Sequence, residues 1–271
     1  MVLFQTETYI IQMISTRLSC IEIIRGVQIM INFNRETCEN PMFGKTLWYN
    51  PNLEFCFNKE IVEYDMQQAS LSVSRRFHLL DDTLLDELER MPKDLRTKKV
   101  GLIQRDDKVF SDNMINGLLQ TRKEFIEVNQ LTDDDIITLH SDALMFIKKK
   151  PIFDTINGVP FVHKHTWSAY IRYGKIEMFY TDGTIDYKGI PKAMLQQHTM
   201  GLNLHILKIF EMIENYDEDL IPYIRKFQKK YLLNQLPDYY YIPFGFAGGA
   251  FKAENLKLLA YLAKIVIREV K

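Results

Sequence analysis

The sequence predicts an α+β fold: an antiparallel sheet with packed helices, followed by a helical C-terminal third. Three patterns carry this reading. Ile136 to Ile147 forms two apolar halves around His140, Ser141, Asp142 and Ala143, the signature of a hairpin with a tight turn. Thr166 to Ile190 alternates apolar runs with reversals at Gly174 and Asp182-Gly183, a three-strand meander. From Gly201 onward, apolar residues recur at helical spacing.

The elements follow in order from Ile61. Ile61 to Tyr64 is a short strand running into Asp65. Asp82-Thr83 opens a helix carrying Leu84, Leu85 and Leu88, with Pro92 beyond its end. Ser111-Asp112 is expected to cap the next helix, whose apolar face holds Ile115, Leu118, Leu119, Phe125 and Ile126. Asn129 and the acids Asp133 to Asp135 end it. The hairpin and the meander come next, with strands at 166–173, 175–181 and 185–190. The last third holds three amphipathic stripes: Leu202, Ile206, Ile209, Phe210 and Ile213; Leu220, Ile224, Phe227 and Tyr231; Leu256, Leu259, Leu262, Ala263 and Val266. Such stripes are core faces. The aromatic run from Tyr239 to Phe246 reads as a packed connection between helices rather than a platform for stacking bases.

Residues 1–60 are the least legible. Val27 to Phe33 fits a strand or a helix end, and Asn40-Pro41, Gly44 and Asn50-Pro51 punctuate loops. The chain thus divides into an N-terminal segment at 1–60, an α+β core at 61–195 and a helical region at 196–271. The segment from Met1 to Arg35 has no evident role in the core and suits docking on a partner.

Composition narrows the function. The 271 residues carry 34 Lys+Arg against 35 Asp+Glu, a net charge of -1, with 46% apolar residues. That is enough apolar surface for a folded chain. It argues against holding nucleic acid by bulk charge, which needs a basic domain. Cys20, Cys38 and Cys56 are too few for a disulfide framework or a zinc cluster, and read as reduced thiols of a cytoplasmic protein. No apolar run is long enough for a membrane span, and the N-terminus lacks the pattern of a secretory signal.

Two aspartates stand where chemistry is easily placed. Asp65 ends a strand and Asp142 sits at a hairpin turn. If those strands are neighbours, both carboxylates meet at one edge of the sheet. Mg²⁺ needs one or two carboxylates and takes its other ligands from water and phosphate. Two such ions clamp the attacking and leaving oxygens of a phosphoryl transfer. The competing reading is a pair of turn aspartates bonded to their own backbone.

The residues around both aspartates bear a resemblance. Glu63 to Ser72 resembles the first catalytic motif of single-chain nucleic-acid polymerases, a strand ending in Asp before a small-residue turn. Leu139 to Phe146 is similar to their later catalytic hairpin. The helix from Asn113 to Gln130 precedes it, as in the palm of the bacterial repair class. Tyr170 to Ile190, ending in Lys188-Gly189-Ile190, resembles the Lys-Gly element of viral replicative polymerases. The run from about 60 to 190 has the look of phage-encoded polymerase-like proteins, a resemblance covering nearly half the chain.

The resemblance implies a palm-like sheet, Asp65 and Asp142 as ligands of Mg²⁺ (or Mn²⁺) in a two-metal site, and nucleic acid and nucleotides as partners. It offers Arg96, Lys98, Lys99 and Arg105 for a nucleotide's phosphates, and Lys188 for the primer or template backbone. It places the chain in the host cytoplasm, with phage or replication proteins as further partners. The sequence also departs from the family. Asp142 follows Asp65 by only 77 positions, leaving fingers tiny or missing. The later motif has one acid. No Tyr-Gly follows the Arg and Lys positions of a finger helix. Ser70, five residues after Asp65, is small where these DNA polymerases carry a bulky or acidic sugar selector, which suits ribonucleotides or a site without sugar selection.

Other candidates are weaker. His163 and His165, on either side of Lys164, read as a surface pair rather than metal ligands. His140 and the acids Asp133 to Asp135 carry no ligand spacing. Lys148, Lys149 and Lys150 directly follow the hairpin. They suit either a phosphate backbone, with Lys149 at the centre, or a charged strand end that discourages edge pairing. There is no P-loop, dinucleotide fingerprint or nucleophilic triad. The reading is metal-dependent nucleotidyl transfer on nucleic acid; the alternative is a catalytically inactive phage replication accessory or nucleic-acid-binding protein on the same scaffold.

Overall fold

The computed structural model describes residues 42–147, 150–190, 200–244 and 251–269. The expectations for Met1 to Arg35, Val27 to Phe33, Lys148, Lys149 and Gly248-Gly249 lie outside them. The fold is α+β, with seven helices among the described residues and an antiparallel sheet. Two compact units emerge. One comprises residues up to 45 and 70–121; the other comprises 46–69 and everything from Arg122 onward.

The first unit is helical. It holds α1 (Ala69–Arg76) from Ser70, α2 (Asp82–Arg90), α3 (Lys93–Asp106) and α4 (Lys108–Val128) as far as Thr121. Asp81 caps α2 by accepting from the Leu84 amide at 2.9 Å. The start of α4 corrects the expected cap at Ser111-Asp112. Asp107 accepts from the Phe110 amide at 2.9 Å, so the helix begins three residues earlier than Ser111. Its buried apolar residues include Leu71, Val73, Leu85, Leu88, Val100, Phe110 and Met114. Helices α1 and α4 meet at Gly117, where a Cβ would lie 2.6 Å from Val73 Cγ1.

The second unit is built on the sheet. Its strands are β1 (Trp48–Tyr49), β2 (Phe55–Met66), β3 (Ile136–Leu139), β4 (Ala143–Ile147), β5 (Thr155–Ile156), β6 (Val159–Tyr173), β7 (Ile176–Thr181) and β8 (Thr184–Lys188). The spatial order is β1-β3-β4-β2-β6-β7-β8, with β5 paired to β6 off this path. The expected hairpin and meander are both present. Asp182 and Gly183 hold φ of 45° and 73°, the left-handed pair that a two-residue turn of this twist requires.

Strand β2 is longer than Ile61 to Tyr64 suggested. Its pairing with β6 slips between Phe57 and Ile61, and again between Glu63 and Tyr64. Bulges like these add twist and bend the strand. The back face of the sheet packs Phe57, Ala169, Ile171, Met178 and Tyr180 against α5 (Met200–Glu214), α6 (Leu220–Leu232) and α7 (Phe251–Glu269). The buried Leu202, Ile206, Ile209, Phe210, Leu220, Ile224, Phe227, Tyr231, Leu259, Leu262 and Val266 confirm the three stripes as core faces. Tyr240 and Tyr241 pack on that core, with Tyr241 4.8 Å from Tyr231. The front face holds a second cluster of Cys56, Ile61, Ile137, Ala143, Met145, Trp167, Tyr170 and Phe179.

The sheet curls over this front cluster. Tyr49 on β1 donates to the Lys175 carbonyl at 3.4 Å, and the Arg172 guanidinium lies 5.1 Å from the Tyr49 ring. The edge at β1 therefore meets the turn between β6 and β7, and the concave interior is enclosed largely by sheet.

Candidate functional site

The strand that ends after Asp65 and the hairpin that carries Asp142 are neighbours. β2 pairs antiparallel with β4, and Asp65 stands opposite Ala143. The Met66 amide donates to the Asp142 carbonyl at 2.8 Å. The condition for the two carboxylates to share one edge is met. Asp142 lies in a four-residue turn closed by His140 N–H donating to the Ala143 carbonyl at 2.9 Å.

The electrostatics of the pair follow from its setting. Burial raises the Asp65 carboxyl above its ordinary range, and the neighbouring charges of Asp142 and Glu63 raise it further. Lys164 and Lys188 oppose the shift, with Lys164 Nζ 3.8 Å from Asp65 Oδ2. Beside Asp142, burial and like charge together make the ionised form of Asp65 costly, a cost that a neighbouring cation would relieve.

Behind the pair, the concave face holds two more acids. Glu63 is two residues before Asp65 on the same strand and so shares its face. Its side chain is 9% exposed, and Lys188 Nζ donates to Oε1 at 2.6 Å. Among the described residues, Oε2 has no hydrogen-bond partner; His165 Nε2 approaches it only to 3.9 Å. Lys188 also lies 5.5 Å from the Trp167 ring centroid and 5.9 Å from that of Phe179. The adjoining Gly189 has φ 81°, and a Cβ there would meet the Lys175 carbonyl oxygen at 2.0 Å. The Lys-Gly pair thus has a packing cause as well as a charge.

Glu177 on β7 is the second acid. Its side chain is 1% exposed; it accepts from His140 Nε2 at 3.1 Å and from the Tyr170 hydroxyl at 3.3 Å. Burial and the Glu177 charge push the Tyr170 phenol well above its ordinary value, so it stays a donor.

Arg122, Glu63 and Glu177 are site residues that motif reading missed. Arg122 is fully buried, and its Nη1 donates to the His140 carbonyl. Burial lowers its guanidinium to about 10, against the opposing pull of Asp142. A signal for Arg122 was present: it falls on the apolar stripe of Leu119, Phe125 and Ile126, where a cation needs a reason.

The remaining candidates are dispersed. Arg96, Lys98, Lys99 and Arg105 lie on α3 in the first unit, whereas Asp65, Asp142 and Lys188 belong to the second. Lys99 pairs with Glu87 at 2.5 Å and Arg105 with Asp106 at 2.8 Å. Lys149 lies outside the described residues, and Lys150 is exposed. His163 and His165, two apart on β6, face opposite ways because the β2–β6 register slips between them, where Glu63 pairs with His165 and Tyr64 with His163. The His163 ring lies 5.5 Å from that of Tyr64 at a tilt, whereas His165 stacks on Trp167 of the front cluster.

Comparison with known proteins adds lineage. The family model described as bacteriophage PBS1 gene 130 protein matches residues 37–266. The chain belongs to the bacteriophage PBS1 gene 130 protein family. Its match spans both units and the whole acidic face, so the phage character expected from the sequence stands. No curated protein matches the chain. For this phage family member, no helix among the described residues is long and apolar enough to cross a membrane. Nor do the described residues gather three or more His, Cys, Asp or Glu side chains into a metal-ligand group. A divalent ion here would therefore rest on the two aspartates and complete its shell with water and phosphate oxygens.

Proposed function

We propose that the concave face performs metal-dependent nucleotidyl transfer on nucleic acid, in the manner of a minimal polymerase palm. One observation carries the reading: Asp65 is registered against the residue that follows Asp142, and the two charges raise the proton affinity of Asp65. The residues fit Mg²⁺ or Mn²⁺ because a dication relieves that repulsion and needs no more than two carboxylates. Asp65 and Asp142 would hold it, and the metal would supply Lewis-acid stabilisation of the transferring phosphoryl group and its leaving oxygen.

The chain's own residues do the rest. Asp65 presents its oxygens from strand β2 and Asp142 from the adjoining hairpin turn. Lys164, beside Asp65, supplies positive charge at the rim where phosphate would enter. Arg96, Lys98, Lys99, Arg105 and Lys149 are carried forward as candidate phosphate contacts, and Lys188 as a contact to primer or template. With net charge -1, such local cations must do the holding. The test is primer extension and terminal transfer with Mg²⁺ or Mn²⁺, offering ribo- and deoxyribonucleotides. Incorporation that vanishes in Asp65→Asn and Asp142→Asn supports the reading; equal incorporation by the variants refutes it.

A second reading has its own observation. Lys188 is committed to Glu63 at 2.6 Å rather than open to a nucleic-acid backbone. That favours a phage replication accessory or nucleic-acid-binding protein that keeps the palm-like scaffold without turnover. Salt-sensitive binding to single-stranded nucleic acid, with no incorporation under any metal, selects it.

A further inference from the structure

The most constrained residue near the aspartate pair is His140. Its N–H donates to the Ala143 carbonyl at 2.9 Å, closing the turn. Its carbonyl accepts from the buried Arg122 guanidinium. Its ring Nε2 is 3.1 Å from Glu177 Oε2. Glu177 is held in turn by the Tyr170 hydroxyl at 3.3 Å, on a strand next to its own. Backbone on both sides and side chain are thus all tied, two residues before Asp142.

We infer that the His140–Glu177 hydrogen bond, spanning the concave interior from the hairpin turn to β7, sets the position of Asp142 for cation binding, with His140 and Glu177 as positioning residues. The inference rests on the reading of Asp142 as a metal ligand. A carboxylate on a two-stranded turn is placed only as well as its turn, and a turn near the sheet edge is free to flex unless something outside the hairpin holds it. Glu177 is fully buried on β7, paired to β6 on one side and β8 on the other, and makes a fixed anchor. With the Glu177 carboxylate as acceptor, the ring donates through Nε2–H. Arg122 restrains the same residue from α4, so the turn is held from helix and sheet together.

The loss expected on breaking such an outer contact is about tenfold in metal affinity. The experiment is Mn²⁺ binding to the full chain by electron paramagnetic resonance, with unfolding midpoints measured without metal. Asp142→Asn should abolish tight binding. His140→Ala should weaken it about tenfold, and His140→Gln, whose amide can still donate to Glu177, should recover most of the loss. Glu177→Leu removes the acceptor from the other side and decides the matter if His140→Ala does not fold; it should weaken binding, and combining it with His140→Ala should add little. Wild-type protein without Mn²⁺ affinity, or Asp142→Asn binding like wild type, overturns the metal reading and this inference with it. Normal binding by His140→Ala, or by a folded Glu177→Leu, overturns this inference alone. So does a His140→Gln protein that is folded and as weak as the alanine variant.

Discussion

His140 Nε2 and Glu177 Oε2 lie 3.1 Å apart, although three strands separate β3 from β7 in the sheet order. A flat sheet would keep these positions well apart, because neighbouring strands are spaced by about 4.8 Å. The contact therefore records the curl. It also explains how apolar residues such as Phe179 and Met145 are fully buried on a face away from the C-terminal helices. The bulges in the β2–β6 pairing supply the bend.

Asp65→Asn should not destabilise the protein. A carboxyl whose folded-state proton affinity is raised is better accommodated protonated, so at neutral pH its ionised form costs stability relative to the unfolded chain. The sign is that stability linked to Asp65 falls as pH rises through and above the ordinary Asp range. The neutral amide removes that cost. Thermal unfolding at pH 7 should give a midpoint equal to or above wild type; a fall of several degrees would show that Asp65 stabilises the fold.

Lys188→Met should be costly, because it strands the Glu63 carboxylate at 9% exposure. Breaking a buried pair from one side costs roughly 3–5 kcal/mol, whereas removing both charges is far milder. Adding Glu63→Gln to Lys188→Met should restore at least half of the loss in a denaturant titration. Additive destabilisation in the double variant would mean that the pair is not the source of the effect.

His205 predicts an acid-sensitive core. It stacks on Phe227 at 3.6 Å, bonds the Tyr223 hydroxyl at 3.0 Å and is driven by burial from 6.5 to about 3. The unfolded chain takes up a proton below about pH 6.5 that the folded chain refuses, so stability is full above that pH and declines below it. The loss between pH 6.5 and pH 5 should be about 2 kcal/mol from this group. His205→Phe should flatten that slope in denaturant titrations across the range; an unchanged slope would remove His205 as its cause.

Gly117→Ala tests a close approach between helices. Alanine gains about 1 kcal/mol of helix propensity over glycine. The new Cβ would lie 2.6 Å from Val73 Cγ1 and 2.9 Å from a Phe77 ring carbon, and a β-branched side chain beside a ring has little room to move. Overpacking of this kind costs roughly 1–3 kcal/mol, so the clash wins. A lowered denaturation midpoint is expected, and a raised one would mean that α1 shifts freely.

Local patterns made much of this fold legible. Apolar runs and turn residues announced β3, β4 and the meander, and the 3.6-residue stripes announced α5 to α7. Strand β2 was cut short in the reading because Asn58, Lys59 and Glu60 break its alternation, and they do so at a bulge, with Asn58 at φ 52°. The start of α4 was misplaced because Ser111-Asp112 has the composition of a cap while Asp107 does the capping. At the site, Asp65 and Asp142 were visible because each sits at the end of a recognisable element. Glu177, Glu63 and Arg122 were not, because their roles depend on which distant strands and helices meet. Nothing in the run of Ile176, Glu177 and Met178 says that a histidine from another hairpin will reach it.

The most direct measurement is single-turnover incorporation of a labelled nucleotide by the full chain in Mn²⁺, compared with folded Asp65→Asn and Asp142→Asn. The account predicts incorporation by wild type that falls at least a hundredfold in both variants while their unfolding midpoints hold. Incorporation that survives in either variant, or its absence from wild type with every metal and both sugars, would contradict it.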